Sequence, residues 1–520
     1  MVMGIDFAWK NRGLLILCLL LPLFLGGCAT RQGQWRPEAS AGEDDCRRFW
    51  LNMEQQLHDH QVVDAATVRL PNFPYLRANR FLQGLAAKAV TDQERHQVLE
   101  EMRRLDLQRR LPELRRLPAA VLTGLAPDAM PDGNPLEQLV SQCSARLLAE
   151  DGKRPQVWRQ VVQGLDLDQD YSLWLRGLGL YPLTGLVVDY VAQRAQEEMV
   201  ARLREPLTET APQLTLRPAV APFSVKAAEP QAVLRAARRP PLLTFDLPDP
   251  QLIGLVERFA PLLSMADGAP YDRFGRVVKG RHGFAVDGTD PVVYYYLSQT
   301  FVQNMPALQI NYLIWFSERA EPAPWFEQGD LDGLIFRVTL GRHGRPVFVD
   351  VAFHCGCYHF IMAADDFVKG PRLDGKGFQP TYAGAMPSVS APKRLHFQIS
   401  SGWHQLNRVT TAEAAAQQPT YRLLPYEELE SFRYNGEMVS LFNSAGRVPG
   451  SERLERFFLF PMGIPKVGAM RQRGRQPISL VGRAYFDDPY LFDRAFHYRP
   501  APPVRSDLTA PTPERRRAQE

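Results

Sequence analysis

The chain has 520 residues, of which 45% are hydrophobic and 23% are charged, and its formal net charge is +4. These proportions are typical of globular domains and exclude a protein that is disordered or fibrous throughout. The small net charge does not indicate nucleic-acid binding, and we expect none. The 43 prolines exceed the average share of roughly 5% and predict linkers and a tail.

The first residues carry a targeting signal rather than part of the fold. Lys10 and Arg12 precede an apolar run over residues 13–25, which is short for a transmembrane helix and contains Pro22. The sequence Leu-Gly-Gly-Cys at 25–28 resembles the lipobox of bacterial lipoproteins. In that motif the cysteine is lipidated and becomes the N-terminus.

The resemblance covers about the first thirty residues. It implies that residues 1–27 are a signal peptide and that Cys28 carries acyl chains, such as palmitate, which anchor the protein in a membrane. Ala29 follows the cysteine where an inner-membrane retention signal has Asp, so the resemblance implies the outer membrane, with the protein facing the periplasm. Residues 28–45 are polar and small and would form a tether.

The remaining cysteines predict a disulfide. Cys18 leaves with the signal peptide, and four cysteines remain besides the lipidated one: Cys46, Cys143, Cys355 and Cys357. An even number in an oxidising compartment favours pairing, although four cysteines allow three connectivities. Cys46 with Cys143 is the simplest long-range pair.

Residues 46–205 have the apolar spacing of helices and predict a helical N-terminal domain. The clearest helix lies between Pro182 and Pro206, since proline suits a first helical turn and stops a helix later on. Its apolar residues recur every three or four positions: Leu183, Leu186, Val187, Tyr190, Val191, Ala195, Met199 and Leu203. We interpret this stripe as the face that packs on the protein core.

Three arginine pairs, at 103–104, 109–110 and 115–116, recur every six residues. A six-residue period makes no single stripe on a helix, so we interpret the pairs as a solvated helical surface. Phosphate-bearing lipids or acidic polymers are alternative partners for them.

The rest of the chain divides at a proline-rich segment. Residues 206–250 contain nine prolines, a density that blocks helix and central strand alike and predicts a linker. Residues 251–499 predict an α+β domain, with helices over 252–260 and 292–305. Residues 500–520 lack apolar periodicity and predict a disordered tail.

Period-two alternation predicts the strands of this second domain. They lie at 334–340, 347–355, 395–399, 456–461 and 478–485. The predicted fold class is therefore α+β, with a helical N-terminal domain, a proline-rich arm and a mostly antiparallel β-sheet domain with flanking helices.

The densest group of reactive side chains is His354, Cys355, Cys357 and His359. Thiolate and imidazole ligands suit zinc or copper. Alternate residues of a regular strand lie about 6.7 Å apart, too far for two ligands of one ion, so a metal site requires the chain to bend at Gly356.

A fourth metal ligand would come from His396 or His404, which lie near strands of the next segment. Two other interpretations stay open. Cys355 and Cys357 could form a disulfide with a structural or redox role, or both could simply pack in the interior.

Other chemistry is weakly indicated. Glu318 and Asp350 are candidate acid–base groups beside the cysteines, but solvated positions explain them equally well. Trp315, Trp325 and Trp403 lie among amide side chains, a combination that suits a glycan or peptide partner. The chain lacks the standard zinc-protease, nucleotide-binding and serine-hydrolase motifs. No residue is assigned a catalytic role, and whether the protein is an enzyme stays open.

Two functions follow from these observations. The leading hypothesis is a lipid-anchored protein of the bacterial cell envelope with a Cys/His metal site in its C-terminal domain. The alternative is a non-catalytic envelope scaffold or ligand-binding lipoprotein with structural disulfides. The expected partners are the membrane, through the N-terminal lipid, and an envelope protein or a glycan.

Overall fold

The computed structural model describes residues 45–125, 135–167, 170–204, 213–219, 229–247, 249–372 and 380–500. The predicted signal peptide, the lipidated Cys28, nearly all of the tether and the tail after residue 500 lie outside the described residues, as do parts of the predicted linker. From Asp45 onward the described residues form one compact unit. The domain boundaries predicted near residues 205 and 250 fall inside this unit and stay predictions.

The described residues contain eleven α-helices. They are α1 (Asp45–Asp59), α2 (Arg80–Ala86), α3 (Asp92–Arg115), α4 (Ala119–Leu125), α5 (Pro135–Asp151), α6 (Pro155–Gln163), α7 (Leu173–Leu178), α8 (Tyr181–Arg204), α9 (Pro230–Ala236), α10 (Pro250–Phe259) and α11 (Leu491–Ala495). Short 3-10 helices lie at Pro270–Asp272, Tyr426–Glu430, Leu454–Phe457 and Phe460–Met462. None of the helices in this part of the chain is long and apolar enough to cross a bilayer.

Twenty-one strands lie in the same described residues. The first ten are β1 (Val68–Leu70), β2 (Phe73–Ala78), β3 (Gln213–Pro218), β4 (Arg238–Arg239), β5 (Thr244–Phe245), β6 (Leu262–Ala266), β7 (Arg276–Gly280), β8 (Gly283–Asp287), β9 (Val292–Val302) and β10 (Met305–Arg319). The others are β11 (Gly329–Leu340), β12 (Pro346–Phe353), β13 (Phe360–Ala363), β14 (Val368–Pro371), β15 (Thr381–Ala385), β16 (Arg394–Ile399), β17 (Leu406–Ala412), β18 (Thr420–Pro425), β19 (Phe432–Tyr434), β20 (Glu437–Val439) and β21 (Phe496–Tyr498).

One mixed sheet of eleven strands organises the fold, in the order β15-β13-β12-β11-β10-β9-β18-β3-β6-β16-β17. Six of its ten neighbouring pairs are antiparallel and four are parallel. Large apolar clusters cover both faces of its central strands, which explains their nearly continuous burial. The predicted α+β class, with flanking helices around a largely antiparallel sheet, is confirmed.

The helix predicted over 292–305 is wrong, because this segment forms strand β9 and turns directly into β10. Gln303 and Asn304 have positive φ angles of 51° and 64° and make the tight two-residue turn of this hairpin. The segment is rich in Val, Tyr, Phe and Thr, which favour a pleated and half-buried backbone. The residue types of this segment therefore predict its secondary structure better than the spacing of its apolar residues does.

The proline-rich segment contributes a central strand, contrary to prediction. Strand β3 lies between β18 and β6, with Leu214 opposite Met265. Pro218 ends β3, so the residues before it keep the amide hydrogens that a ladder needs. Proline density excludes strands only where the prolines fall inside the pairing residues.

Some of the other predicted elements are confirmed, and others are wrong. Helices α8 and α10 and strands β11, β12 and β16 match their predictions closely. The strands predicted at 456–461 and 478–485 are wrong: the first region forms 3-10 turns, and the second carries an isolated bridge between Pro477 and Tyr485.

The arginine pairs of helix α3 do not form one solvated surface, because Arg109 and Arg110 are buried or nearly so, although Arg115 is exposed as predicted. Thr91 and Glu94 form a capping box at its start. Arg110 is completely buried and donates to Asp106 at 2.7 and 2.9 Å. Arg77 on β2 is also buried and donates to the carboxylate of Glu113 at 3.0 and 2.6 Å. These pairs fix β2 to α3.

Polar contacts also join the N-terminal helices to the C-terminal segments. Arg80 donates to Asp487 at 2.9 Å, and Arg109 donates to Glu430 at 2.8 Å. The disulfide between Cys46 and Cys143 links α1 to α5, as predicted. The helical region is therefore held by covalent and ionic contacts as well as by its own apolar cluster.

The buried pair of Arg77 and Glu113 yields a stability prediction. Glu113→Gln should lower the free energy of unfolding by about 3–5 kcal/mol, because Arg77 then keeps an uncompensated buried charge. The control Glu137→Gln removes a partly exposed partner of Arg115 and should cost no more than about 1 kcal/mol. Urea unfolding of the two variants and the wild-type protein measures the difference.

The same variant has a predicted pH dependence. Burial acts to raise the pKa of Glu113, but Arg69 and Arg77 outweigh it and hold that pKa well below its usual range. A depressed carboxyl pKa contributes stability above the unfolded-state value of about 4.3, and this stability is lost as the pH falls further. The advantage of the wild-type protein over Glu113→Gln should therefore shrink below about pH 4. An advantage that stays constant down to pH 2 would contradict this account.

Candidate functional site

The Cys-Gly-Cys segment lies in the connection between β12 and β13, where the chain reverses. Gly356 has a φ of 93°, which favours glycine, and its amide donates to the carbonyl of Phe353 at 2.8 Å. A Cβ atom at this position would lie 2.1 Å from the carbonyl oxygen of Pro477, so a side chain cannot fit. The bend that a metal site would require at Gly356 is therefore present.

The two histidines of this segment point to separate partners. His354 is buried, donates from Nε2 to the carbonyl of Leu334 at 3.1 Å and packs edge-on against Trp315. Burial lowers the pKa of His354 to about 4, so its ring is neutral. His359 donates from Nε2 to Asp350 at 2.9 Å, and burial lowers its pKa as well.

The other two predicted metal ligands, His396 and His404, also have hydrogen-bond partners of their own. His396 lies on β16 with Nε2 2.6 Å from the hydroxyl of Ser264. His404 stacks on Phe316 and donates from Nδ1 to Asp332 at 2.9 Å. Burial acts to lower the pKa of His404, but hydrogen bonds to Asp272 and Asp332 raise it overall. His404 thus lies between two carboxylates, with Nε2 3.6 Å from Asp272 and Nδ1 2.9 Å from Asp332.

The predicted metal ligands are therefore not brought together. In the part of the chain that the structure describes, no group of three or more His, Cys, Asp or Glu side chains could hold a metal ion. Each imidazole has a hydrogen-bond partner, which lies on β6 for His396, on β11 for His354 and His404, and on β12 for His359. The Nδ1 atoms of His354 and His359 are buried without a hydrogen-bond partner. Because no three donors come together among the described residues, the set does not fit zinc or copper.

Cys355 and Cys357 are free thiols that lie beside each other. Cys355 is buried, Cys357 is partly exposed, and the amide of Cys357 donates to the sulfur of Cys355 at 3.3 Å. A hydrogen bond between the two thiols, with burial, raises the pKa of Cys357 well above its ordinary value. Cys355 and Cys357 are therefore reduced in this structure and do not form the disulfide that was one of the open interpretations.

Next to the thiols lies a network of buried charges. Arg319 donates to Asp332 at 2.8 and 3.1 Å and to Glu327 at 3.0 Å. Glu327 also accepts from the hydroxyl of Tyr358 at 2.6 Å and from the indole of Trp403 at 3.2 Å. This network fixes the residues on both sides of the Cys-Gly-Cys turn.

The two candidate acid–base residues differ in their burial. Glu318 is exposed on β10, whereas Asp350 is buried and accepts from Arg337 and His359. Asp350 lies beside the turn as predicted, but two donors already occupy it. Arg319, Glu327 and Glu455 were missed, because no local motif marks them and only the fold brings them to the thiols.

A second feature is an apolar stripe that faces solvent. The predicted core stripe of α8 is mostly exposed: Leu183 67%, Leu186 71%, Val187 66%, Tyr190 57% and Val191 60%. The interpretation of these residues as core is therefore wrong, although Met199 further along the helix is buried. Helical periodicity identifies an apolar face but not what covers it.

The exposed stripe belongs to a larger surface. Thirteen of the seventeen large apolar side chains that are exposed among the described residues form what we call the apolar surface: Leu173, Trp174, Leu178, Leu180, Leu183, Leu186, Val187, Tyr190, Val191, Trp325, Leu454, Phe457 and Phe458. The 3-10 turn Phe460–Met462 contacts both α7 and α8 and connects the two groups of residues. Arg176 of α7 donates to the carbonyl of Met462 at 3.0 Å.

Comparison with known proteins does not assign the chain to a family. No family model, curated protein or solved structure matches it. The Cys-Gly-Cys turn and the apolar surface are therefore the two features that bear on function.

The arrangement of the histidines yields a prediction about metal. The full-length protein, purified without added metal or chelator, should contain well below one zinc or copper ion per chain, because no three donor side chains of the described residues come together. EDTA should leave its melting temperature unchanged. Elemental analysis and thermal unfolding measure both quantities. About one ion per chain, lost in a Cys355→Ser/Cys357→Ser variant but kept in His343→Gln, would establish the metal site instead.

Proposed function

We propose that this chain is a lipid-anchored protein of the bacterial cell envelope that works as a scaffold and binds another envelope protein through its apolar surface. The observation that carries the proposal is the exposure of the apolar surface, whose residues are 46–87% accessible. The lipobox resemblance at residues 25–28 supports the lipid anchor and the envelope location.

The size of the apolar surface supports binding of a protein. An aromatic side chain can bury about 150–250 Å², so the five aromatic members of the surface alone present on the order of 600 Å². Six leucines and two valines add to this area. The largest apolar patch of a typical monomer is about 300–600 Å². A standard protein interface takes about 800 Å² from each partner. The surface is large enough for a stable complex.

The spacing of the residues supports a helical partner. Leu183, Leu186, Val187, Tyr190 and Val191 follow the i, i+3, i+4, i+7, i+8 pattern of a helix face that packs against another helix. Trp325, Phe457 and Phe458 add aromatic side chains, which are enriched in protein interfaces. We infer a partner that presents an amphipathic helix.

The charges of α8 favour a protein over a bilayer. Helices that lie on anionic membranes are rich in Lys and Arg. Helix α8 contains no Lys, and its three arginines are balanced by Asp189, Glu197 and Glu198. Glu197 and Glu198 are exposed beyond the apolar stripe, where an anionic lipid surface would repel them.

A photo-crosslinking amino acid at position 186 of the full-length chain, in the native envelope, tests the binding surface. We expect one discrete protein adduct that is absent when the crosslinker replaces Val90, an exposed valine outside the apolar surface. Val187→Glu should reduce this adduct at least tenfold, because a charge would be buried in the interface. Val90→Glu should leave it unchanged.

The adduct also identifies the occupant. The partner, once identified by mass spectrometry and purified, should bind the wild-type protein at least tenfold more tightly than Val187→Glu. An adduct of twice the mass of the chain would show a second copy, and a phospholipid adduct would show a bilayer. Either result, or the absence of an adduct at position 186, would overturn the proposed partner.

The anchor has its own prediction. Cys28→Ser should abolish incorporation of a labelled fatty acid and release the protein from the detergent phase, because the acylated sulfur is gone. Cys18→Ser is the matched control, since Cys18 lies in the apolar run before the lipobox and should not affect labelling. Continued labelling of Cys28→Ser would contradict the anchor.

A further inference from the structure

The turn after β12 holds two thiols in a geometry that suits a reversible bond. The chain reverses at Gly356, so Cys355 and Cys357 lie side by side with hydrogen-bonded sulfurs. Cys355 is 3% exposed, whereas Cys357 is partly exposed and can meet another molecule. The other pair of the described cysteines, Cys46 and Cys143, is already oxidised.

Three buried arginines lie near Cys355. Burial acts to lower the pKa of Arg319, but Asp332 and the other nearby acidic groups, Cys355 among them, raise it overall. Burial lowers the pKa of Arg453 and Arg471, and Cys355 is among the groups that oppose this shift.

Two of these guanidinium groups differ in their partners. Arg453 donates to the backbone carbonyls of Asp330 and Leu331, whereas Nη1 of Arg471 lies 3.6 Å from a carboxylate oxygen of Asp170. The Nε atoms of both arginines are buried without a hydrogen-bond partner.

A carboxyl group lies near the second thiol. Glu455 is buried, and burial with the charge of Glu327 raises its pKa to about 7, against the opposing charges of Arg319 and Arg453. Its charge in turn contributes to the raised pKa of Cys357.

We propose that Cys355 and Cys357 form a thiol–disulfide exchange site, in which the partly exposed Cys357 reacts with the disulfide of another molecule and the buried Cys355 completes the exchange. The co-reactant is a small-molecule or protein disulfide. The same site, once oxidised, accepts electrons from a dithiol.

The exchange balances in two steps. Cys357 loses its proton, and its thiolate attacks the external disulfide, which forms a mixed disulfide and releases one external thiolate that takes up this proton. Cys355 then loses its proton and attacks the sulfur of Cys357, which closes the Cys355–Cys357 disulfide and releases the second external thiolate, which takes up the second proton. The protein loses two electrons and two protons, and the external disulfide becomes two thiols.

The test uses the full-length, lipidated protein in detergent, equilibrated with mixtures of reduced and oxidised glutathione. Free thiols are counted by mass shift with a maleimide after acid quenching. We expect two thiols at the reducing end and none at the oxidising end, lost together with a single midpoint. The ratio of oxidised to reduced protein should change tenfold for each tenfold change in [GSSG]/[GSH]².

Variants assign the roles of the two sulfurs. Cys355→Ser should accumulate a glutathione mixed disulfide on Cys357, whereas Cys357→Ser should form none on the buried Cys355.

The wild-type thiol count requires no variant and so keeps the proposal open to refutation if a variant fails to fold. Two thiols that persist in oxidised glutathione under native conditions would overturn it. Independent loss of the two thiols, or trapping on Cys355 rather than Cys357, would overturn the assigned roles.

Discussion

The burial of guanidinium groups is the constraint on which most of this fold depends. Arg77, Arg110, Arg337, Arg453 and Arg471 are among the largest fully buried side chains of the described residues. A charge in the interior costs several kcal/mol unless hydrogen bonds and opposite charges surround it, so each arginine dictates where its partners must lie. Helix α3 is held against β2 in this way, and β11 is held against β12 by a pair between neighbouring strands.

The same constraint determines the chemistry near the Cys-Gly-Cys turn. Arg77 and Arg337 each bind a carboxylate through two hydrogen bonds, so their charges are neutralised locally. Arg453 instead binds backbone carbonyls, which leaves positive potential near Cys355. No three His, Cys, Asp or Glu side chains of the described residues could hold a metal ion together, whereas the amide of Cys357 contacts the sulfur of Cys355. The proposed thiol–disulfide exchange rests on this proximity of the two cysteines.

Local patterns in the sequence predict strands, helix ends and the disulfide, but they do not predict which residues far apart in the chain come into contact. Alternation gave β11, β12 and β16, proline positions gave the ends of α8, and cysteine counting gave the disulfide between Cys46 and Cys143. Spacing misassigned the segment of β9, since apolar residues at helical intervals also occur in a strand that is buried at its two ends and half-buried in its middle. The bond between Arg80 and Asp487 spans 407 positions, and the residues around the thiols come together only through the sheet. No local pattern encodes such partners.

One short helix lies between the Cys-Gly-Cys turn and the apolar surface. In the 3-10 helix Leu454–Phe457, Leu454 and Phe457 are exposed members of the apolar surface, whereas Glu455 between them is buried near Cys357. The amide of Glu455 donates to the carbonyl of Phe326 at 3.0 Å, directly after the exposed Trp325. A partner that covers Leu454 and Phe457 would therefore contact the same helical turn that carries the buried Glu455.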